Sequence, residues 1–392
     1  KLVADGQLDG ITPEQLADEF VLIDAKLDQD ISAVVVDEGG EETLAEMAKR
    51  LRAGQNYLDL PNLAIPTEDG YRFTSEKFEP SNLDGEIVDW SRYTERLGPF
   101  DAPIRTAVGC PFQCEFCDFA QLYRPKLRSI ESLLGELRTL AGSMPAPRNV
   151  FFADDNVAIS QKRLTEFTRA LVAERLQLSW RAFIRADSVD EESAELMRDS
   201  GCRECLLGIE SGDPEILSNM NKRLDPDKAL RAVELLDKNG INTQCTFVVG
   251  FPGECSRSIE RTAAFISAFP SGDHANAIQR YYLFRFQALP LCPVSSSAAQ
   301  RQRYQLEGLG EQWKHSTMDS QEALGAMRDL FLQVKGSSHM YTEIVPPDWS
   351  TAKTRAVMEL RDEVKKAHLN NSPAAKQLEA ELLESVQENE SA

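Results

Sequence analysis

No stretch of the 392-residue sequence approaches the roughly 18 consecutive apolar residues that a membrane-spanning helix needs. A membrane span is therefore not expected. The opening segment, Lys1-Leu-Val-Ala-Asp-Gly-Gln-Leu-Asp-Gly10, has no apolar region of the secretory kind. It also lacks an initiating Met and reads like the interior of a larger protein. Positive charge is in deficit: 43 Lys and Arg face 63 Asp and Glu, a formal net charge of -20. Such a surface repels phosphate backbones, so nucleic acid is a poor expectation, although a local basic pocket remains compatible. Some of the negative charge lies in the tail Gln377–Ala392, which reads as a solvated helix end. Cysteine is too sparse for a secreted disulfide scaffold, with eight in the whole chain. Three of them fall between positions 110 and 117. That clustering points to metal or catalytic use in a reducing cytoplasm.

What is present suffices for a sizeable core, since 42% of residues are hydrophobic. Residues 1–54 read as the end of an α/β unit: a short buried strand, Ile31–Val36, an acidic glycine turn from Asp37, and an amphipathic helix over Thr43–Ala53. Residues 55–100, rich in Pro, Gly and Asp, read as a linker wrapping the surface. From residue 101 the rhythm is regular. Strands are expected at Pro103–Val108, Asn149–Asp154, Leu178–Ala186, Cys205–Ser211, Asn242–Gly250 and Ile278–Leu289. Helices are expected at 129–141, 160–176, 190–200, 225–239 and 256–268. This alternation over 101–290 predicts a parallel sheet with right-handed crossovers, and chemistry at the C-terminal strand ends. Residues 291–392 read as a mostly helical extension with a loop around 292–320.

The chemistry-bearing motif is Cys110-Pro-Phe-Gln-Cys114-Glu-Phe116-Cys117, just after the first strand. A loop this tight can wrap three thiolates around one face of a cubane cluster, and thiolate suits iron–sulfur or zinc. Zinc would want a fourth Cys or His at short spacing, and none follows. A zinc site completed by a distant His, and three packed free thiols, are the alternatives. Three ligands to four irons leave one iron open, as catalysis requires.

With its C-x-x-x-C-x-aromatic-C loop, the sequence resembles the radical S-adenosylmethionine (SAM) superfamily over about residues 101–290. The resemblance implies an α/β fold, a partial (β/α)6 barrel, with Cys110, Cys114 and Cys117 holding a 4Fe-4S cluster. The open iron would bind the amino and carboxylate groups of S-adenosylmethionine. Reductive cleavage would then release a 5′-deoxyadenosyl radical. An electron donor such as flavodoxin or ferredoxin is implied as partner.

Further strand ends fit that pocket. Asp154 and Asp155, in Phe151-Phe-Ala-Asp-Asp-Asn156, stand where the family accepts a hydrogen bond from the methionine amino group; a helix N-cap is the plainer reading. Arg185 could reach the cofactor carboxylate or form a salt bridge, and Arg181 shares its parity along the strand. Leu207-Gly-Ile-Glu210-Ser211-Gly212 is similar to the family's G-x-E-S segment, against an ordinary strand-to-helix turn. Gly250-Phe-Pro252-Gly253-Glu254 is similar to the glycine-rich segment that packs on the adenine, and Phe116 completes the cofactor-facing set. Cys202 and Cys205 form a C-x-x-C at the opposite end of the barrel, with Cys202 in the turn before the strand. Both read as structural thiols. Catalytic candidates are His315, in Trp313-Lys-His315-Ser-Thr-Met318, and Tyr281 and Tyr282 on the sixth strand, with Arg285 beside them. A lone His is more often structural.

The N-terminal run Ala33-Val-Val-Val-Asp-Glu-Gly-Gly-Glu41 looks like the junction in cobalamin-binding radical SAM enzymes, where a Rossmann-like domain ends. It departs from their usual V-x-G-E-G-E-like turn. No Asp-x-His-x-x-Gly motif occurs, so no His ligand to cobalt can be named. The resemblance implies cobalamin, bound mostly upstream of this chain, and methylation of an unactivated carbon in a small-molecule or natural-product substrate. Ring closure or rearrangement is the alternative within the same parts. A methylthiotransferase would need a second cluster and a basic tail, and this tail is acidic. An iron–sulfur or zinc sensor module would not need the four matching strand ends.

Overall fold

Apolar residues alternating along successive strands, most followed by a capped helix, give this chain a parallel sheet whose main core lies between the strands and the crossover helices. The computed structural model describes residues 31–36, 40–67, 70–77, 82–85, 87–93, 101–119, 125–157, 159–272, 275–340 and 349–387. Residues 1–30 of the expected Rossmann-like remnant, and Asp37–Gly39 of its turn, lie outside them.

The N-terminal part holds β1 (Val34–Val35), helix α1 (Glu41–Arg52), β2 (Leu63–Thr67) and β3 (Gly70–Phe73). The expected buried strand is shorter and only half-buried. It pairs antiparallel with β2, which also pairs antiparallel with β3. The linker thus contributes a hairpin that covers Val35, because Leu63, Ala64 and Ile65 form its buried face.

The main sheet follows, with β4 (Ala102–Ile104), the small ribbon β5 (Ala107–Val108) and β6 (Lys126–Leu127), α2 (Ile130–Ser143), β7 (Arg148–Phe152), α3 (Gln161–Glu174), β8 (Leu178–Ile184), α4 (Glu191–Asp199), β9 (Cys202–Glu210), α5 (Pro214–Asn219), α6 (Pro226–Lys238), β10 (Asn242–Val249), α7 (Ser256–Ser267) and β11 (Gln279–Arg285). The C-terminal region adds α8 (Pro293–Ser296), α9 (Ala298–Tyr304), β12 (Glu307–Leu309), β13 (Gln312–His315), β14 (Met318–Asp319), α10 (Ser320–Gln333), β15 (Ser338–His339), α11 (Thr351–Leu369) and α12 (Ala375–Gln387). Seven strands run parallel in the order β15-β11-β10-β9-β8-β7-β4. Five of these helices fall where the sequence places them. Their starts are fixed by local chemistry: Ser129 and Ser160 cap α2 and α3, Asp190 closes a capping box, and Asp225 caps α6 ahead of Pro226.

Period-two alternation decides what each strand buries. Phe152, Trp180, Ala182, Ile184, Cys205, Leu207, Cys245, Phe247, Tyr281 and Leu283 face the helices and form one core. Within it, Phe152, Phe167 and Trp180 meet edge-on at 5.0, 5.5 and 6.3 Å; truncating any of them to Ala would cost about 3–5 kcal/mol. The residues between them face the concave side. At its N-terminal end that side is closed by ion pairs: Asp101 with Arg203 and Arg181, and Glu204 with Arg280.

Four local expectations change. The first strand stops at Ile104 instead of running to Val108, because the Thr106 and Ala107 N–H groups turn to the Asp154 carboxylate. Cys202 lies inside β9, not in the turn before it, and its sulfur is 3.7 Å from that of Cys205. The loop expected at 292–320 contains an antiparallel sheet, β12-β13-β14, in which Trp313 and His315 alternate inward with exposed Gln312 and Lys314. A seventh strand, β15, of two residues, pairs with β11.

Candidate active site

The three-cysteine loop begins immediately after β5, and the neighbouring segments hold its backbone on all sides. Glu115 N–H donates to Met220 O at 2.9 Å, Val294 N–H to Glu115 O at 3.0 Å, and Asn221 Nδ2 to Gln113 O at 2.7 Å. Cys117 N–H closes a turn onto Cys114 O. The Cys292 thiol donates to Phe116 O at 2.9 Å.

Cys114 is buried, while Cys110 and Cys117 are half-buried. Burial pushes the Cys117 thiol up to about 11, and the nearby Cys114 and Cys110 push the same way. Burial also raises Cys114, against the pull of Lys222 and Arg185. The three sulfurs therefore share one electrostatic neighbourhood. Among the described residues, no three His, Cys, Asp or Glu side chains already stand together as a metal-ligand group. In donor type and spacing the three thiols fit an iron–sulfur cluster: three soft ligands carried on one short loop. A soft metal would displace their protons on binding.

Asp154 is wholly engaged within the chain. Its carboxylate accepts from Thr106 N at 2.8 Å, Ala107 N at 3.0 Å and Thr106 Oγ1 at 2.5 Å. It pins the end of β7 to the segment that launches the cysteine loop. Burial raises it to about 6 despite those bonds. Asp155 is exposed and takes the Gly109 N–H, so of the two it is the one open to a ligand.

Arg185 is 6% exposed and grips Asp187 through two hydrogen bonds of 3.0 and 2.8 Å. It also donates to Lys222 O at 2.9 Å and lies 3.8 Å from the centre of the Phe112 ring. Arg185 thus forms a salt bridge, with a partner two residues along its own segment and not on a neighbouring strand end. Glu210 sits at φ 75°, a left-handed conformation uncommon for a non-glycine residue. Its carboxylate pairs with Lys222 at 3.0 Å, both side chains being buried. Gly208 permits this pair: a Cβ there would meet Glu210 Oε1 at 2.6 Å and Lys222 Nζ at 3.1 Å. Ser211 is 1% exposed and bonds with Thr262 and with Asp213 N–H, so it organises the turn into α5.

The Gly250–Glu254 turn lies against the same loop through Phe251, which meets Phe116 edge-on at 6.5 Å. Gly250 has φ +94°, and a Cβ there would strike Trp313 and Ala323 within 2.8 Å. Gly253, at φ +99°, closes on Asn219, and Pro252 is buried between them. Glu254 accepts the Gly250 N–H at 2.5 Å and is pushed up to about 8 by burial. His315 is 3% exposed and stacks on Trp313 at 5.1 Å. Its Nε2–H donates to Gly250 O at 2.9 Å, and Nδ1 accepts from Thr317 N and Oγ1. Burial lowers its pKa. Both ring nitrogens thus hold the turn in shape, a positioning role in keeping with the structural reading of a lone His.

Tyr281 and Tyr282 cannot both line the cavity, because neighbours on a strand face opposite ways. Tyr281 is 0% exposed in the helix-side core, contrary to the expectation that it lines the cavity. Tyr282 faces the concave side next to Phe284, ring centres 4.4 Å apart. Arg285 is paired with Glu311 at 2.7 Å. Lys222 was missed in the sequence: it lies in a polar stretch after α5, and nothing in its spacing marks it as buried.

Residues 104–266 match the family described as the radical SAM superfamily. An uncharacterized methyltransferase from Pyrococcus horikoshii is 28% identical over 262 residues, covering 65% of this chain and 55% of that protein. The anaerobic magnesium-protoporphyrin IX monomethyl ester cyclase of Rubrivivax gelatinosus is 26% identical over 245 residues, covering 59% and 44%. The chain spans about half the length of these curated relatives. Among solved structures, the cobalamin-dependent S-adenosylmethionine radical enzyme OxsB, with aqua-cobalamin and S-adenosylmethionine bound, superposes with TM-score 0.62 at 15% identity. That match covers 90% of this chain and 57% of the other.

Proposed function

We propose that this chain, whose residues 104–266 match the radical SAM superfamily, cleaves S-adenosylmethionine to methylate an unactivated carbon with the help of cobalamin. The observation that carries the reading is the cysteine loop itself. It stands at the C-terminal end of a parallel sheet, the end at which such folds place chemistry. Cys110, Cys114 and Cys117 would hold a 4Fe-4S cluster with one iron open. Cluster and S-adenosylmethionine together supply a 5′-deoxyadenosyl radical when bound.

The chain's own residues do the remainder. Asp154 anchors the loop's approach. Phe116 and Phe251 present an apolar wall next to it, and His315 and Glu254 fix the Gly250 turn through its carbonyl and its N–H. Asp155, exposed at the end of β7, is the acidic side chain open to a cofactor. Cys114 and Glu254 are buried at this end, and keeping water from a radical is what such a site must do.

Methyl transfer is supported by the name of the Pyrococcus relative, and cobalamin by the likeness to OxsB over most of the chain. The substrate would be a small molecule, and a flavodoxin or ferredoxin would supply the electron. No described helix is long and apolar enough to cross a membrane. Eight free cysteines suit a reducing cytoplasm. Ring closure is the second reading, favoured by the Rubrivivax cyclase. The test is anaerobic reconstitution of the chain with iron and sulfide, with and without cobalamin, followed by assays of iron, bound cobalamin and 5′-deoxyadenosine under dithionite. C114A retaining full iron and full cofactor cleavage would overturn the reading. Absence of any cobalamin effect on binding or turnover in the full-length protein would remove only the methyltransferase subclass.

A further inference from the structure

We infer that Lys222 and Arg185 are paired positioning cations, which hold the cysteine loop by its two phenylalanines and stabilise negative charge gathered at its sulfurs. The inference rests on the reading that the three thiols hold an iron–sulfur cluster. Each cation addresses a different aromatic residue of the loop. Arg185 lies 3.8 Å from the Phe112 ring centre, between Cys110 and Cys114. Lys222 Nζ lies 5.7 Å from the Phe116 ring centre, between Cys114 and Cys117. A cation over an aromatic face is attracted by the ring quadrupole, so both hold rings whose positions set where the cysteines stand. The two are joined, since Arg185 Nη2 donates to Lys222 O at 2.9 Å.

A purely structural Lys222–Glu210 pair would be a costly way to fill this space. Burying both charges desolvates them, and an apolar pair of similar volume commonly does as well or better. Here the pair also demands a glycine at position 208 and a left-handed φ of 75° at Glu210. What the cost brings is a field. Lys222 Nζ lies against the Phe116 ring and Glu210 Oε1, while Glu210 Oε2 accepts from Thr246 Oγ1 on β10 at 3.4 Å, so the cation is the member of the pair set against the loop. A reduced cluster carries one more negative charge than an oxidised one, so nearby cations favour reduction.

The test is an EPR-monitored redox titration of the chain reconstituted with iron and sulfide, without S-adenosylmethionine. K222M should disfavour reduction about tenfold, a shift of ~59 mV to more negative potential for a one-electron couple. R185M should shift the same way. K222R, which keeps the charge, should stay within about twofold of wild type. K222M/E210Q removes both members of the buried pair and leaves no lone charge. It should still shift negatively, and with R185M it carries the test if K222M alone does not fold. Native iron content with an unmoved potential in K222M, or a K222R shift as large as that of K222M, would overturn the inference and leave the cluster reading intact. If the wild-type chain takes up no iron, the cluster reading falls, and the inference with it.

Discussion

Replacing Asp154 separates two roles that its position allows: an anchor inside the chain and an acceptor for the cofactor's amino group. Its carboxylate takes two backbone N–H groups and one hydroxyl, all buried. D154A would strand the Thr106 and Ala107 N–H donors, each at about 1–3 kcal/mol, and a net loss of roughly 2–6 kcal/mol follows. That is a large part of the ~5–15 kcal/mol that stabilises a typical domain. D154N differs: its amide oxygen can accept both N–H groups and its NH2 can donate to Thr106 Oγ1, so at acid pH, where the wild-type carboxyl is protonated, it should stay near wild type. The pH dependence gives a second check. The folded-state pKa is raised from 3.8 to about 6, so the protonated form's stabilisation is complete below about 3.8 and is lost as pH rises through about 6. Relative to D154N, wild type should therefore lose about 3 kcal/mol between pH 4 and 7. Urea unfolding at pH 4.5 and 7.5 measures both effects. A D154A midpoint unchanged from wild type would refute the anchor. D154N that folds and binds iron normally but loses affinity for S-adenosylmethionine would show that the carboxylate serves the cofactor instead.

Other outcomes follow from the same geometry. Glu254 is raised from 4.5 to about 8 by burial, so its contribution is full below about 4.5 and lost as pH rises through about 8. E254Q should flatten the fall in stability between about pH 4.5 and 8.5, by roughly 4 kcal/mol; parallel wild-type and E254Q curves in denaturant melts would contradict this. The buried His315 is held neutral, with its pKa lowered, so its contribution is full above about 6.5 and lost on acidification. H315A should lose about 1–3 kcal/mol and loosen the Gly250 turn. H315Q should restore most of that stability and retain 5′-deoxyadenosine release; normal folding without release would give His315 a direct part in the chemistry. Finally, C202S/C205S should keep full iron content and cofactor cleavage, because the two sulfurs sit 3.7 Å apart in the core at the far end of β9. A loss of iron in that variant, measured after reconstitution, would assign the pair to a second metal site.

The alternation of strands and helices could be read directly, because each rests on local rules. Period-two burial, capping residues such as Ser129, Asp190 and Asp225, and the prolines after Asp213 and Asp225 act within a few positions of themselves. Strand ends were less legible. β4 stops at Ile104 because a carboxylate 48 residues away in sequence captures the next N–H groups. β13 escaped because two inward residues, Trp313 and His315, form too short a pattern to separate from a loop.

The cysteine loop was fixed by the sequence alone, since eight consecutive positions carry all three thiols, and so was the parallel sheet behind it. The loop's surroundings belong to tertiary structure. Lys222 reads as an ordinary surface lysine until the chain brings it to Glu210 and under Phe116. Arg185 and His315 read as candidates for chemistry until folding commits their donors to Asp187, Lys222 and Gly250. Between Tyr281 and Tyr282, the pleat register picks the one that faces the cavity. Local sequence determines which groups exist and how far apart the chain holds them. Desolvation and pairing depend on neighbours distant in sequence, and only the folded chain decides which of those groups remain free to react.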